Sequence, residues 1–177
     1  MSTDIHGWIE VKGKERWHGV IRIDWIINRT YDMFGCLFGE KHVYFEPVSS
    51  DDAPQDISRE VSQDNEFSHL GSEQSLTYKE IKNINWDEES IELIPQVYVK
   101  DGFSKLRPVK DYELSDSEYD RLNQEKVFEK GNIIYKLEKI KRKECMTSDW
   151  MMLFEFMRKL AEEAGDENVR LVVWFDY

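Results

Sequence analysis

The chain has 177 residues, 40% of them hydrophobic and 34% charged, with a formal net charge of −12. This length suits one domain that buries a core without disulfide or metal staples, the composition excludes a disordered chain, and no apolar run reaches the roughly 20 residues of a membrane helix. The negative field repels phosphate backbones, so direct binding to DNA or RNA is not expected, and the opening Met1-Ser2-Thr3-Asp4-Ile5-His6 lacks the basic and apolar regions of a signal peptide, so a cytoplasmic location is expected.

Residues 4–12 alternate: Ile5, Gly7, Ile9 and Val11 fall on one side, Asp4, His6, Trp8, Glu10 and Lys12 on the other. Period two with one apolar side predicts a half-buried strand. Lys12-Gly13-Lys14 predicts a turn, and residues 16–25 alternate again, with Ile21, Ile23 and Trp25 against Arg22 and Asp24, so the start reads as an antiparallel hairpin. A short helix is expected from Tyr31, with Thr30 as its cap, Asp32 in its first turn and Gly39 at its end. Its aromatic side carries Tyr31, Phe34, Leu37 and Phe38, and Gly35 within it suggests a close backbone approach.

His42-Val43-Tyr44-Phe45 reads as a short strand. Residues 47–75 are polar and loop-like, with a short helical piece near Ile57–Val61. Ser75 onward reads as a cap and helix, with Thr77 and Glu80 at capping-box spacing. Residues 85–146 form a less regular stretch. It offers a strand at Val97-Tyr98-Val99, a charged helix from Ser115 to about Lys130, a strand at Ile133–Leu137 and a basic run at Lys139–Lys143 that reads as a solvated edge discouraging strand pairing, with an anion or partner site as the alternative. Thr147-Ser148-Asp149 then caps a helix in which Trp150, Leu153, Phe154, Met157, Leu160 and Ala161 recur at helical spacing, ended by Gly165. Val169–Phe175 follows as a strand apolar enough for a central position.

These elements predict an α+β fold: a single domain with a mixed or antiparallel sheet, an N-terminal hairpin, a short aromatic helix and a C-terminal helix–strand unit, with 85–146 as an elaboration. The first and last strands are expected to be neighbours in one sheet. Cys36, in an apolar setting, reads as a buried thiol, and with Cys145 it gives no zinc spacing. Among the tryptophans, Trp25, Trp150 and Trp174 sit in apolar patterns expected in the core, whereas Trp8 and Trp86 have polar neighbours and suit a surface.

An ordered set of short motifs resembles a family of uncharacterised phage and bacterial proteins. The matching pieces are Asp4-Ile5-His6 with Ile9-Glu10, Arg29-x-Tyr31-Asp32-x-Phe34, Pro54-x-Asp56-Ile57-Ser58-x-Glu60-Val61, Ser68-His69 with Leu76-Thr77, and Val169-Arg170-x-Val172-x-Trp174-Phe175-Asp176. The resemblance covers roughly residues 1–82 and 147–177, and implies a small phage or prophage accessory protein. The stretch Ser68-His69-Leu70-Gly71-Ser72 departs from the family's histidine-serine-tryptophan run.

The residues that could carry chemistry are few. Asp4 and His6 lie two apart on a strand and so share a face. If the last strand pairs beside the first, Asp176, with Trp174 and Arg170, could join them, and His69 could complete a set able to bind a divalent metal or to orient a histidine as general base. The plain alternative places Asp4 and His6 on the hydrated side of a hairpin. Arg29, Tyr31 and Asp32 at a helix start could hold an anion, or pair internally. No phosphate loop, hydrolase elbow or zinc pair is present in the sequence.

Two readings follow. One is a non-enzymatic accessory protein, active in the host cytoplasm in counter-defence, that binds a host protein or a small ligand such as a nucleotide through Asp4, His6, Trp8, Arg29, Tyr31, Asp32, His69, Trp174 and Asp176. It needs no cofactor and no membrane, and is compatible with a homo-oligomer. The other is a metal-assisted hydrolase or nuclease with Asp4, His6 and Asp176 on the metal and His69 beside them.

Overall fold

The alternating start of the chain becomes strand β1 (Ile5–Lys12), and a turn at Gly13, whose N–H bonds the Arg16 carbonyl at 2.8 Å, returns it as β2 (Trp17–Arg22). The structure, a computed structural model, describes residues 3–49, 54, 56–68, 73–100, 106–109 and 114–176. Along the chain follow α1 (Tyr31–Phe38), α2 (Arg59–Ser68), β3 (Gln74–Thr77), α3 (Tyr78–Lys82), β4 (Ile94–Lys100), β5 (Leu106–Pro108), α4 (Asp116–Glu125), β6 (Val127–Lys130), β7 (Ile133–Glu138), α5 (Ser148–Ala164) and β8 (Val169–Phe175). The class is α+β, and both sheets are wholly antiparallel. Two compact units result, Met1–Trp86 with Cys145–Tyr177, and Asp87–Glu144.

In the first unit the strand order is β2-β1-β8-β3. The first and last strands are therefore neighbours, with Ile5 opposite Phe175, His6 opposite Trp174, Trp8 opposite Val172 and Glu10 opposite Arg170. Every residue of β8 is buried, as its apolar sequence requires of a strand covered on both faces. On the face carrying Val172 and Trp174, Val61 of α2 packs against both, with Trp8 and Ile57 at the margin. On the face carrying Phe175, the rings of Phe34 and Phe38 from α1 meet it at 5.4 and 5.8 Å between centroids. Helix α5 runs along β1 and β8 and buries Trp150, Leu153, Met157 and Ala161.

Helix α1 is buried on nearly every side, from Met33 to Phe38. Gly39 closes it in the left-handed region at φ 74°, as expected of a glycine there. Thr30 occupies the cap position but its hydroxyl donates to the Asn28 carbonyl, so the expected side-chain cap is not formed. At Gly35 the chain of His42 crosses the helix so closely that a Cβ would overlap the His42 carbonyl. That crossing is one reason 42–45 is no strand: the backbone turns tightly there, Val43 N–H to Lys41 O and Tyr44 N–H to His42 O, both at 3.0 Å.

Other expectations are corrected in the same way. Strand β2 ends at Arg22, because Ile26 and Ile27 N–H both turn back to the Ile23 carbonyl. Ile23 and Ile27 take the core and Trp25, expected inside, is 91% exposed. The helical piece near 57–61 is the ten-residue α2, which starts after Ser58, whose hydroxyl accepts from Val61 N–H. Residues 74–77 are strand, and Thr77, its last residue, is also the N-cap of α3, where the expected Thr77–Glu80 capping box is formed.

In the second unit, of order β5-β4-β7-β6, Val97, Leu122, Phe128 and Tyr135 form a core, with Phe128 and Tyr135 stacked at 4.3 Å. Helix α4 is opened by a Ser115–Glu118 capping box and stops at Glu125, because Lys126 adopts φ 64°, so 127–130 is a strand rather than the end of the helix. The basic run is not a solvated edge. Arg142 is 3% exposed and donates to Glu88 at 2.8 Å, Lys141 and Lys143 pair with Asp87, and Ser90 N–H bonds Ile140 O at 2.8 Å. The two ends of this unit are thus zipped to each other.

Two outcomes test this account. Alanine in a helix interior ordinarily stabilises over glycine by about 0.5–1 kcal/mol. Gly35→Ala reverses the sign, because the new methyl meets backbone, and lowers stability by about 1–3 kcal/mol in thermal or urea melts. In the second unit, hydrogen bonds from Lys130, then Ser115, hold Glu118 down from its ordinary value of 4.5 to about 2. A lowered carboxyl stabilises the fold fully above about pH 4.5 and loses that contribution as pH falls toward about 2. Melts of the parent protein and Glu118→Gln across that range will show a parent advantage that closes on acidification.

Candidate functional site

The polar side of β1 is not a hydrated face. Residues 56–64 lie over part of it, and Glu10 and Trp8 present a carboxylate and an indole to that cover. Deepest is Glu10, fully buried opposite Arg170, whose Nε donates to Glu10 Oε2 at 2.6 Å. Glu10 Oε1 accepts Ser58 N–H at 2.6 Å, Arg170 Nη2 reaches the Asp56 carbonyl at 3.2 Å, and the guanidinium lies 4.0 Å over the Trp17 ring. A single Arg in an otherwise apolar strand needs a buried acid, and β1 supplies it.

Nearer the end of the strand, Trp8 Nε1 donates to Asp64 Oδ2 at 2.7 Å. His6 stacks on Trp174 at 6.2 Å between centroids, its Nδ1 lies 2.9 Å from Asp24 Oδ1, and its Nε2 lies 3.5 Å from Asp176 Oδ2. Arg22 pairs with Asp24 and stands 3.5 Å from Asp64. Asp176 also accepts the Asp4 N–H on Oδ1 at 2.7 Å, so the last residues of the chain are tied to the first. Glu60 accepts Gly19 N–H at 3.2 Å on the bulged edge of β2, and backbone N–H donors, its own and that of Gly19, hold its carboxyl below the usual range.

The sequence-derived candidates therefore divide. Asp4, His6, Trp8, Trp174 and Asp176 share one end of the sheet. The Asp4 carboxylate, however, accepts Arg29 Nε at 2.7 Å and so points to Arg29 rather than to His6. Its hydrogen bond raises the Arg29 pKa further above the ordinary value. Tyr31 accepts Thr3 N–H on its hydroxyl at 3.2 Å and lies close enough to Arg29 to interact with it, whereas Asp32 binds His42 Nδ1 at 2.7 Å, so the three do not converge on one point. His69 lies outside the described residues. Among the described residues no three His, Cys, Asp or Glu side chains are placed to hold a metal ion. Sequence reasoning missed Asp24, Arg22 and Asp64, which reach this end from a turn, a strand end and a helix, and no spacing rule links them to His6.

The chemistry open to this cluster follows from its donors. A neutral imidazole carries one N–H, so it serves one of the two carboxylates, and only an imidazolium serves both. The Nδ1 side of the ring is hydrogen-bonded to Asp24, and Nε2 faces Asp176 at 3.5 Å. Trp8 is half-buried and engaged, and Trp86 tilts against Phe154 at 6.1 Å. Comparison with known proteins finds no matching family model, no matching curated protein and no matching solved structure. No helix among the described residues is long and apolar enough to cross a membrane.

The buried pair gives a measurable expectation. Arg170→Met leaves the Glu10 carboxyl buried without its guanidinium, at a cost of about 3–5 kcal/mol. Glu10→Gln keeps an acceptor for Ser58 but loses the pair. In a double-mutant cycle by urea unfolding, the double variant will lose clearly less than the sum of the single losses.

Proposed function

We propose that this protein is a non-enzymatic accessory protein of the phage type that acts by binding a host protein in the host cytoplasm, in a counter-defence role. The observation that carries the binding reading is Trp25, 91% exposed on the turn after β2, where the alternating sequence would have buried it. An indole left in water forgoes a large transfer energy, and tryptophan is the side chain most enriched among residues that dominate protein interfaces. The phage attribution rests on the motif resemblance at the two ends of the chain.

The polar cluster supports binding over catalysis, since His6, Asp4 and Asp176 are engaged with neighbours of the same chain. A nucleotide is a poorer fit than a protein at the open depression lined by Lys79, Lys82 and 165–168, because Lys79 pairs with Glu167 and Lys82 with Asp166 at 2.7 Å. The test is affinity capture from host lysate with the parent protein and Trp25→Ala, identifying what is retained by mass spectrometry. A partner held by the parent and lost by the variant is expected. Capture of nothing, or equal capture by both, would sink the proposal.

A further inference from the structure

The chain enters the second unit at Asp87 and leaves it at Glu144, and the two segments at that neck bond each other at once. Arg142 N–H donates to the Glu88 carbonyl at 2.9 Å, Ser90 N–H to the Ile140 carbonyl at 2.8 Å, and Glu89 stands opposite Lys141 in an antiparallel bridge. Side chains add to the closure. Arg142 Nη2 lies 2.8 Å from Glu88 Oε2, Lys143 Nζ lies 2.7 Å from Asp87 Oδ1, and Ser90 Oγ accepts Ile140 N–H at 3.3 Å. Hydrogen bonds from Lys143 and then Lys141 hold the Asp87 carboxyl below its ordinary value.

What this neck encloses has the parts of a folding unit. Strands β4, β5, β6 and β7 make one antiparallel sheet, and α4 packs on β6 and β7. Val97, Leu122, Phe128 and Tyr135 are buried together, with Ile133 and Leu137 against them. The buried carboxylate of Glu118 finds its partners in the same unit: Lys130 Nζ at 2.9 Å, Ser115 N–H at 3.1 Å and the Tyr135 hydroxyl at 3.2 Å. A segment with its own sheet, its own core, a satisfied buried charge and closed ends can form and dissolve as one cooperative piece. Size ranks the two units. A domain of about 60 residues buries a smaller share of its chain than one of about twice that length and is correspondingly less stable, and the second unit runs only from 87 to 144.

We infer that Asp87–Glu144 is a separately opening module, which unfolds and refolds as one piece while the first unit, with β1 and β8 at its centre, stays folded. The consequence for function is local. Trp25 and the cluster around His6 belong to the first unit, so they are kept while the module is open.

The test is native-state hydrogen exchange on the full chain in low urea, read by mass spectrometry of peptide fragments. In the parent, the amides of β4, β6 and β7 are expected to exchange at one common rate, faster by about tenfold or more than those of β1 and β8. Leu122→Ala, in the core of the module, is expected to speed the first group by about thirtyfold or more, the equivalent of a lost buried leucine side chain, and to leave β1 and β8 unchanged. Leu153→Ala, in the core side of α5, is expected to do the reverse, speeding β1 and β8 and leaving β4, β6 and β7 at the parent rate. Should Leu122→Ala leave the module open outright, β4, β6 and β7 lose protection while β1 and β8 keep theirs, which supports the inference in a stronger form. Leu122→Val, a smaller loss at the same place, then supplies the graded rate. One common rate for both groups of strands overturns the inference, and so does either core change that speeds both groups alike.

Discussion

The buried pair between Glu10 and Arg170 is the contact on which the first unit depends. It sits one pair from the end of the β1–β8 register and reaches outward to the Ser58 N–H and the Asp56 carbonyl. Those two backbone groups belong to the segment that leads into α2. One ion pair therefore joins the first strand, the last strand and the cover over their polar face. Two buried charges repay their desolvation only when the remaining lone pairs and protons are also met. Here Ser58 N–H, the Asp56 carbonyl and the Trp17 ring meet them.

From that pair outward the same face grades from dry to wet. Glu10 and Arg170 are buried, Trp8 and Val61 close the apolar middle, and His6, Asp24, Asp64 and Asp176 form a half-exposed ring of charge at the end. The ring ties together Asp4 and Asp176, which lie 172 positions apart, so the ends of the described chain are held as neighbours by side chains as well as by the sheet. A cluster whose members satisfy one another in this way rigidifies the end of a sheet.

Where one physical signal dominated, the elements could be read from residues alone. Alternation in 4–12 and the apolar run at 169–175 became adjacent strands, and helical spacing from Trp150 with Gly165 after it became α5. Gly39 and the Thr77–Glu80 box marked helix ends because caps act within a few residues. Failures came where tertiary contact outweighed local pattern. The alternation that included Trp25 stopped at Ile23, because two N–H groups turned back to one carbonyl. Residues 42–45 had strand-forming side chains, but their backbone is drawn across Gly35. The basic run at 139–143 showed no sign of its partners, since Asp87 and Glu88 lie more than fifty positions away. For the candidate site, β1 and β8 were legible from their spacing, whereas Asp24, Arg22 and Asp64 arrive from three other elements and leave no periodic trace.

The placement of charge and apolar surface bears on function more than the presence of either. Most side chains that looked chemical in the sequence are engaged inside the fold: Asp4 with Arg29, His6 between two carboxylates, Asp32 with His42, Arg170 with Glu10. What the fold leaves in water is of another kind, an indole on a turn and methionines on a helix whose inner face is already packed. An isolated exposed leucine on a surface carries little meaning, because much of any protein surface is apolar. A 91% exposed Trp25, on a turn bonded to the very helix that exposes Met151, Met152 and Phe156, is a different case.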